Sequence, residues 1–316
     1  MRFKNDKFRK QQNWMFRNAR PLELARWRYH MESKGKEEIF TCLKAFQNHD
    51  GGFGHGIEPD FWNPASTPMA SWRAAQILKE IDTDPKEEIV QNLVRYLVST
   101  MNRNTGMWPS SVPGNNDHPH APWWHWKEDV QANWMFNPAV ELSAYLIYWS
   151  QNNHDALKIS WESMAKALDH LMEQTEMDRH ELNNYKNAID ILRGDVLEFN
   201  RRMPHSFEKV EKKVWKLIEG CMDQSYKNWG KDYLALPLDF INHPEQMKNI
   251  QISEIESLVE KNLTFYATSL TDEGVWDITW DWDQYPEEFA VAKRIWQGIL
   301  IVNRCKILKT FGVIDH

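Results

Sequence analysis

Three stretches of the sequence concentrate side chains that can move protons or hold a ligand. The first, residues 50–62, reads DGGFGHGIEPDFW and carries Asp50, Phe53, His55, Glu58, Asp60 and Trp62. Two carboxylates two positions apart can divide acid and base roles when burial raises one pKa and leaves its neighbour ionised, which makes Glu58 and Asp60 candidate catalytic residues. The same carboxylates would equally satisfy backbone amides in a glycine-rich turn, and Asp50 reads that way. Phe53, His55 and Trp62 are candidate ligand contacts. His55 with Glu58 offers two ligands where zinc takes three or four, so no metal is expected.

The second stretch, 108–136, is long for a connection inside a compact domain, and long ordered loops tend to wall or cover sites. It holds His118, His120, Trp123, Trp124, His125 and Trp126, stiffened by prolines at 109, 113, 119 and 122. His120 is the third catalytic candidate, as a proton-transfer group of the side-chain type used near neutral pH. Trp123 and Trp124 would form an apolar or stacking wall, or else anchor the loop on helix ends. The third stretch alternates Trp276, Asp277, Trp280, Asp281, Trp282 and Asp283. Trp280, Asp281 and Trp282 are candidate substrate contacts, whereas Trp276 reads as packing. Asp239 in LPLDF lies between apolar neighbours, where an ionised carboxylate needs a partner. The expectation is that Glu58, Asp60 and His120 surround one pocket with Trp123, Trp124, Trp280 and Trp282.

The elements that must position these residues read as helices. Ala70, Ala74, Ile77, Leu78 and Ile81 share one helical face, with Thr67 as cap and Pro68 in the first position, where a missing N–H costs nothing. Asp84-Pro85 is expected to open a second helix with the stripe Ile89, Leu93, Leu97 and Met101, and Asp84 with Glu87 has capping-box spacing. Asn137-Pro138, His243-Pro244 and Tyr285-Pro286 are expected to open further helices. No stretch alternates like a half-buried strand, so the chain reads as all-α. Glycine recurs beside a large aromatic at Phe53, Trp108, Trp229 and Trp276, with a period of roughly 50 that marks helix-pair repeats. About six pairs closed into an α/α toroid fit the length, as one domain over 1–316 with 177–206 as a charged insertion.

The segments DGGFGHGIEPD (50–60) and NPASTPMASWRAAQIL (63–78) resemble the glycine-aromatic repeats of the terpene cyclase and protein prenyltransferase toroids. A closer resemblance is to bacterial hypothetical proteins labelled "prenyltransferase/squalene oxidase repeat", shared through HPHAPWW (118–124), NPAVELSAYL (137–146), LPLDF (236–240) and VWDITWDW (275–282), and covering roughly residues 36–312. The resemblance implies a toroid with a central pocket and lends no catalytic roles. The chain lacks the DxDD of alkene-protonating cyclases and the DDxxD of ionising synthases. Where protein prenyltransferases bind zinc through Asp-x-Cys, it has the reversed order Cys221-Met222-Asp223, followed by His243. No cofactor is expected.

Composition narrows the classes further. The net charge of -7 repels a phosphate backbone, which excludes nucleic acid as the expected partner. The apolar runs fall short of the roughly 20 residues of a membrane span, and the first residues lack an apolar signal core, so a cytoplasmic protein is expected. Cys42, Cys221 and Cys305 are odd in number and form no CxxC pair, as free thiols would. Seventeen tryptophans stand where average usage gives about four. Three functions fit: an enzyme acting on an apolar, isoprenoid-like molecule, a carbohydrate-active α/α barrel, and a non-catalytic ligand- or protein-binding toroid. The partner expected is a small molecule, apolar or glycan; the oligomeric state is not written in the sequence.

Overall fold

The structure is a computed structural model that describes residues 5–150 and 153–314. The described residues form thirteen α-helices and short 3-10 turns, with isolated β-bridges and no strand, so the chain is all-α. They divide into two compact units, the first from the described residues within 1–45 and 222–316 and the second from those within 46–221.

Unit 1 begins with α1 (Asn5–Asn18), α2 (Pro21–Met31) and α3 (Glu37–Lys44). Unit 2 comprises α4 (Pro68–Glu80), α5 (Glu88–Thr100), α6 (Ala139–Trp149), α7 (His154–Glu173), α8 (Arg179–Leu192), α9 (Val196–Arg202) and α10 (Phe207–Cys221). Unit 1 then closes with α11 (Pro237–Phe240), α12 (Ile255–Thr268) and α13 (Pro286–Thr310), the last packing on α1 and α2.

In unit 2, α4 starts as its sequence dictates: the Thr67 hydroxyl accepts the Ala70 N–H at 3.1 Å, and Pro68 occupies the first turn. The helix expected from Asp84-Pro85 starts later, at Glu88. Asp84 accepts the Lys86 N–H at 2.8 Å and so closes a turn, leaving Glu87 to precede α5 without a side-chain cap. In unit 1, His243-Pro244 opens only the 3-10 turn Pro244–Asn249. Gln246 accepts the backbone N–H of both Asn242 and His243, which folds the segment back on itself, and α12 waits until Ile255. Residues 177–206 hold α8 and α9; Leu182, Tyr185, Ala188, Ile189 and Leu192 of α8 are buried, and α8 packs on α6 and α10.

The glycine-aromatic repeat has a geometric cause. Gly51, Gly106 and Gly274 all have positive φ, 92°, 76° and 87°, and each precedes a fully buried aromatic by two residues: Phe53, Trp108 and Trp276. The left-handed turn, which glycine adopts without strain, reverses the chain, and at Trp108 and Trp276 it returns the aromatic to the end of the preceding helix. Trp108 Nε1 donates to the Leu97 carbonyl near the end of α5 at 2.9 Å, and Trp276 Nε1 donates to the Tyr266 carbonyl near the end of α12 at 2.9 Å. Each indole satisfies one of the carbonyls that a helix end leaves without an intrahelical partner. Trp229 departs from the pattern, donating to Asp223 at 2.6 Å.

Candidate functional site

Unit 2 brings the segments carrying the three catalytic candidates side by side. Residues 60–62 pair with 119–121: Ala121 N–H donates to the Asp60 carbonyl at 2.8 Å, Trp62 N–H to the Pro119 carbonyl at 2.9 Å, and Phe61 stands opposite His120. Glu58 and Asp60 are each 4% exposed and His120 is 3% exposed. His120 Nδ1 lies 2.6 Å from the His118 carbonyl, which can only accept, so Nδ1 carries the proton. Its Nε2 lies 3.1 Å from Nδ1 of the exposed His125, whose ring stacks on it. Both nitrogens of His120 are thus engaged within the loop.

The aromatic wall divides by role. Trp124 is buried, edge-on to Phe61 and stacked at 4.8 Å on Trp134, and its carbonyl accepts from Ser111 and Asn115, so it anchors the loop. Trp123 and Trp62 are partly exposed; Trp62 Nε1 donates to the Pro59 carbonyl. Phe53 is wholly buried, whereas His55 is exposed and bonded to Asn48. Asp50 accepts from Gly52 N–H and the Ser66 hydroxyl, the turn role that its short side chain implied.

The remaining candidates belong to unit 1. Asp239 accepts the Leu236 N–H at 2.8 Å, tying down the first turn of α11. Asp281 is exposed and accepts the Asp283 N–H at 2.8 Å. Trp282 is fully buried against Phe289, and Trp280 is partly exposed between Tyr233 and Trp296.

The best-formed polar site lies in unit 2 among residues that sequence reasoning passed over. Glu141, in the first turn of α6, is 1% exposed and accepts four hydrogen bonds. Tyr145 Oη donates to Oε1 at 2.6 Å and Gln76 Nε2 to the same oxygen at 3.3 Å; Trp72 Nε1 donates to Oε2 at 2.8 Å and Asn187 Nδ2 to Oε2 at 3.3 Å. The donors come from α4, α6 and α8, and all four are uncharged. Arg73 Nη1 donates to Gln76 Oε1 at 3.1 Å, which turns the amide of Gln76 toward the carboxyl. Burial raises the Glu141 pKa above the ordinary carboxylate range against the opposing pull of these donors. Tyr145 is pushed upward by burial and by Glu141, so it stays a donor. Trp72, Gln76 and Asn187 are partly exposed, so the donors that surround the buried carboxyl border on solvent. The sequence did carry a signal: Glu141 is the one charged residue in AVELSAYLIYW, where an apolar helix has no packing use for it.

A second buried carboxyl, Glu181 in α8, accepts the Phe136 N–H at 3.0 Å and lies 3.4 Å from His170 Nε2 on α7. Burial, aided by Asp178, raises it to about 7 against the opposing Phe136 bond. Among the described residues, no group of three His, Cys, Asp or Glu side chains is arranged to hold a metal ion, and no helix is long and apolar enough to cross a membrane. In comparisons with known proteins, the chain matches no family model, no curated protein and no solved structure.

Proposed function

We propose that this chain is a small-molecule-binding protein of the α/α-toroid type whose ligand is engaged at Glu141 and is hydroxyl-bearing, as a sugar is. The observation that carries the reading is the buried Glu141 carboxyl ringed by an indole N–H, a phenol and two carboxamides. Such a lining exchanges hydrogen bonds with hydroxyl groups, whereas a hydrocarbon would leave polar groups unsatisfied. The two long bonds, from Gln76 and Asn187 at 3.3 Å, are the ones a ligand hydroxyl would replace most cheaply. Trp72 supplies an aromatic wall of the kind on which sugar rings rest. Burial raises the pKa of this carboxyl while four donors oppose that rise, so it can take and return the proton of a bound hydroxyl, and acid–base catalysis is the chemistry proposed for the site. Glu58 and Asp60, buried in the loop that leads into α4, are the further carboxyls proposed to take part. The helix-pair repeat of the toroid is supported by the recurring glycine-aromatic turns.

The test is thermal unfolding of the wild type and Glu141→Gln with a panel of mono- and disaccharides and, separately, prenyl alcohols, together with native mass spectrometry of the purified protein. A sugar that raises the wild-type melting temperature and leaves Glu141→Gln unmoved supports the proposal; at about a hundredfold excess over Kd the gain is about 2.7 kcal/mol. A prenyl alcohol that stabilises both proteins equally would reject it in favour of an apolar ligand held elsewhere.

A further inference from the structure

We infer that Glu181, His170 and the Phe136 backbone amide form a proton-controlled latch that holds the end of the 108–136 loop against α7 and α8, closed while the Glu181 carboxyl is neutral and loosened once it ionises. The inference is independent of the ligand proposed above.

The geometry is that of a strap and clasp. Glu181 Oε1 takes the Phe136 N–H at 3.0 Å and faces His170 Nε2 at 3.4 Å, and the Phe136 ring sits 5.6 Å from the imidazole. One residue on, Asn137 Oδ1 accepts from Asn184 Nδ2 at 3.0 Å, so two α8 side chains hold consecutive residues of the strap. Met135, just ahead, has a φ of 46°, a left-handed conformation that a non-glycine residue keeps only when its surroundings enforce it. The strap is the end of the same loop that carries His120, Trp123 and Trp124.

The surrounding charges decide which protonation state closes the clasp. Asp178 caps the start of α8, with Arg179 and His180 in the same turn; Glu173 follows His170 on α7; the buried Tyr185 lies one turn further along α8; and Lys213 reaches from α10 to the Gln174 carbonyl. Asp178 opposes ionisation of Glu181, as burial does, and these outweigh the stabilising Phe136 N–H. Burial also holds His170 below the usual imidazole range despite Glu173, so His170 supplies no counter-charge at neutral pH. A carboxyl that titrates at about 7 when clasped returns to roughly 4.3 when released into water. The clasped state therefore binds the proton more tightly. Closure is fully favoured below the released value and is lost as the pH rises through the clasped one.

The test follows the Phe136 amide by NMR hydrogen exchange, corrected for intrinsic rate, between about pH 6 and about pH 8.5. In the wild type, protection at Phe136 should fall at least about tenfold across that range. Glu181→Gln keeps an acceptor for the amide but cannot ionise, and its protection should stay level. A side-chain carboxyl ¹³C titration of the wild-type protein provides a readout that needs no variant, with an expected midpoint near 7. Constant wild-type protection, the same pH slope in Glu181→Gln, or a Glu181 midpoint below about 5 would each overturn the latch.

Discussion

Glu141 shows how a side chain can be conspicuous in a sequence and still be missed. Apart from Asp239, the carboxylates that stand out in the sequence cluster in 50–62 and 276–283, yet the most completely surrounded one stands alone in an apolar helix. Its donors are 69, 65, 4 and 46 residues away in sequence, so spacing could not assemble them. Burial of Glu58, Asp60 and His120 was not readable either, because it depends on the 60–62 and 119–121 segments meeting. The energetic weight of the Glu141 site can be measured through Tyr145, which makes its shortest hydrogen bond. Tyr145→Phe removes that donor while keeping the ring stacked on Trp149. A hydrogen bond to a charged group contributes about 1.5–3 kcal/mol, so denaturant unfolding at neutral pH should show a loss of that order. Without one of the donors that oppose the burial effect, the Glu141 pKa should rise further, and the loss should shrink at acidic pH, where the carboxyl is neutral in both proteins. Equal losses at both pH values would mean that the Tyr145 hydroxyl does not bear on the charge.

At the scale of elements, the sequence was most legible where a local rule had no competitor. Thr67-Pro68 caps α4 because a hydroxyl and a proline there have one use each, whereas Asp84 had a nearer amide available in Lys86 and took it. His243-Pro244 fails in the same way, since Gln246 satisfies the local amides and leaves nothing to propagate a helix. The repeat was visible as glycine beside an aromatic, but its purpose needed coordinates: a left-handed glycine and an indole that caps the helix before it. This account predicts unequal consequences within one motif. Trp108→Phe keeps most of the buried ring and strands the Leu97 carbonyl, which costs about 1–3 kcal/mol. Gly51→Ala should cost more, because an added Cβ would sit 2.2 Å from the backbone oxygen of Asn92 in a conformation already unfavourable to alanine by about 1–2 kcal/mol. Chemical denaturation of the two variants checks the order, and a milder effect from Gly51→Ala would contradict it.

At the scale of the molecule, the all-α class followed from periodicity alone, while the division into two units did not, because unit 1 is made from segments almost two hundred residues apart in sequence. Its contacts are correspondingly long-range. Arg26 Nη2 donates to Asn303 Oδ1 at 3.0 Å, Lys309 Nζ to the His30 carbonyl at 3.0 Å and Lys7 Nζ to the Ala267 carbonyl at 2.8 Å. At Gly298 α13 lies beside α2, and an added Cβ there would meet the Glu23 Cβ at an ordinary contact distance of 3.5 Å. Trp27 and Leu22 on α2 and Ile299, Ile301 and Leu308 on α13 are buried, and the two helices pack on each other. Isolated helices of eleven or fourteen residues are marginal in water, so α1 and α2 owe their stability to tertiary burial rather than propensity. A chain ending at residue 285 removes α13 and should leave α1–α3 with amide protection close to that of an unfolded peptide, read by hydrogen exchange and mass spectrometry. The same chain should bind a hydrophobic dye through the apolar surface of unit 1 that α13 covers. Native-like protection of α1–α3 without α13 would show that the two ends of the chain do not depend on each other for their fold.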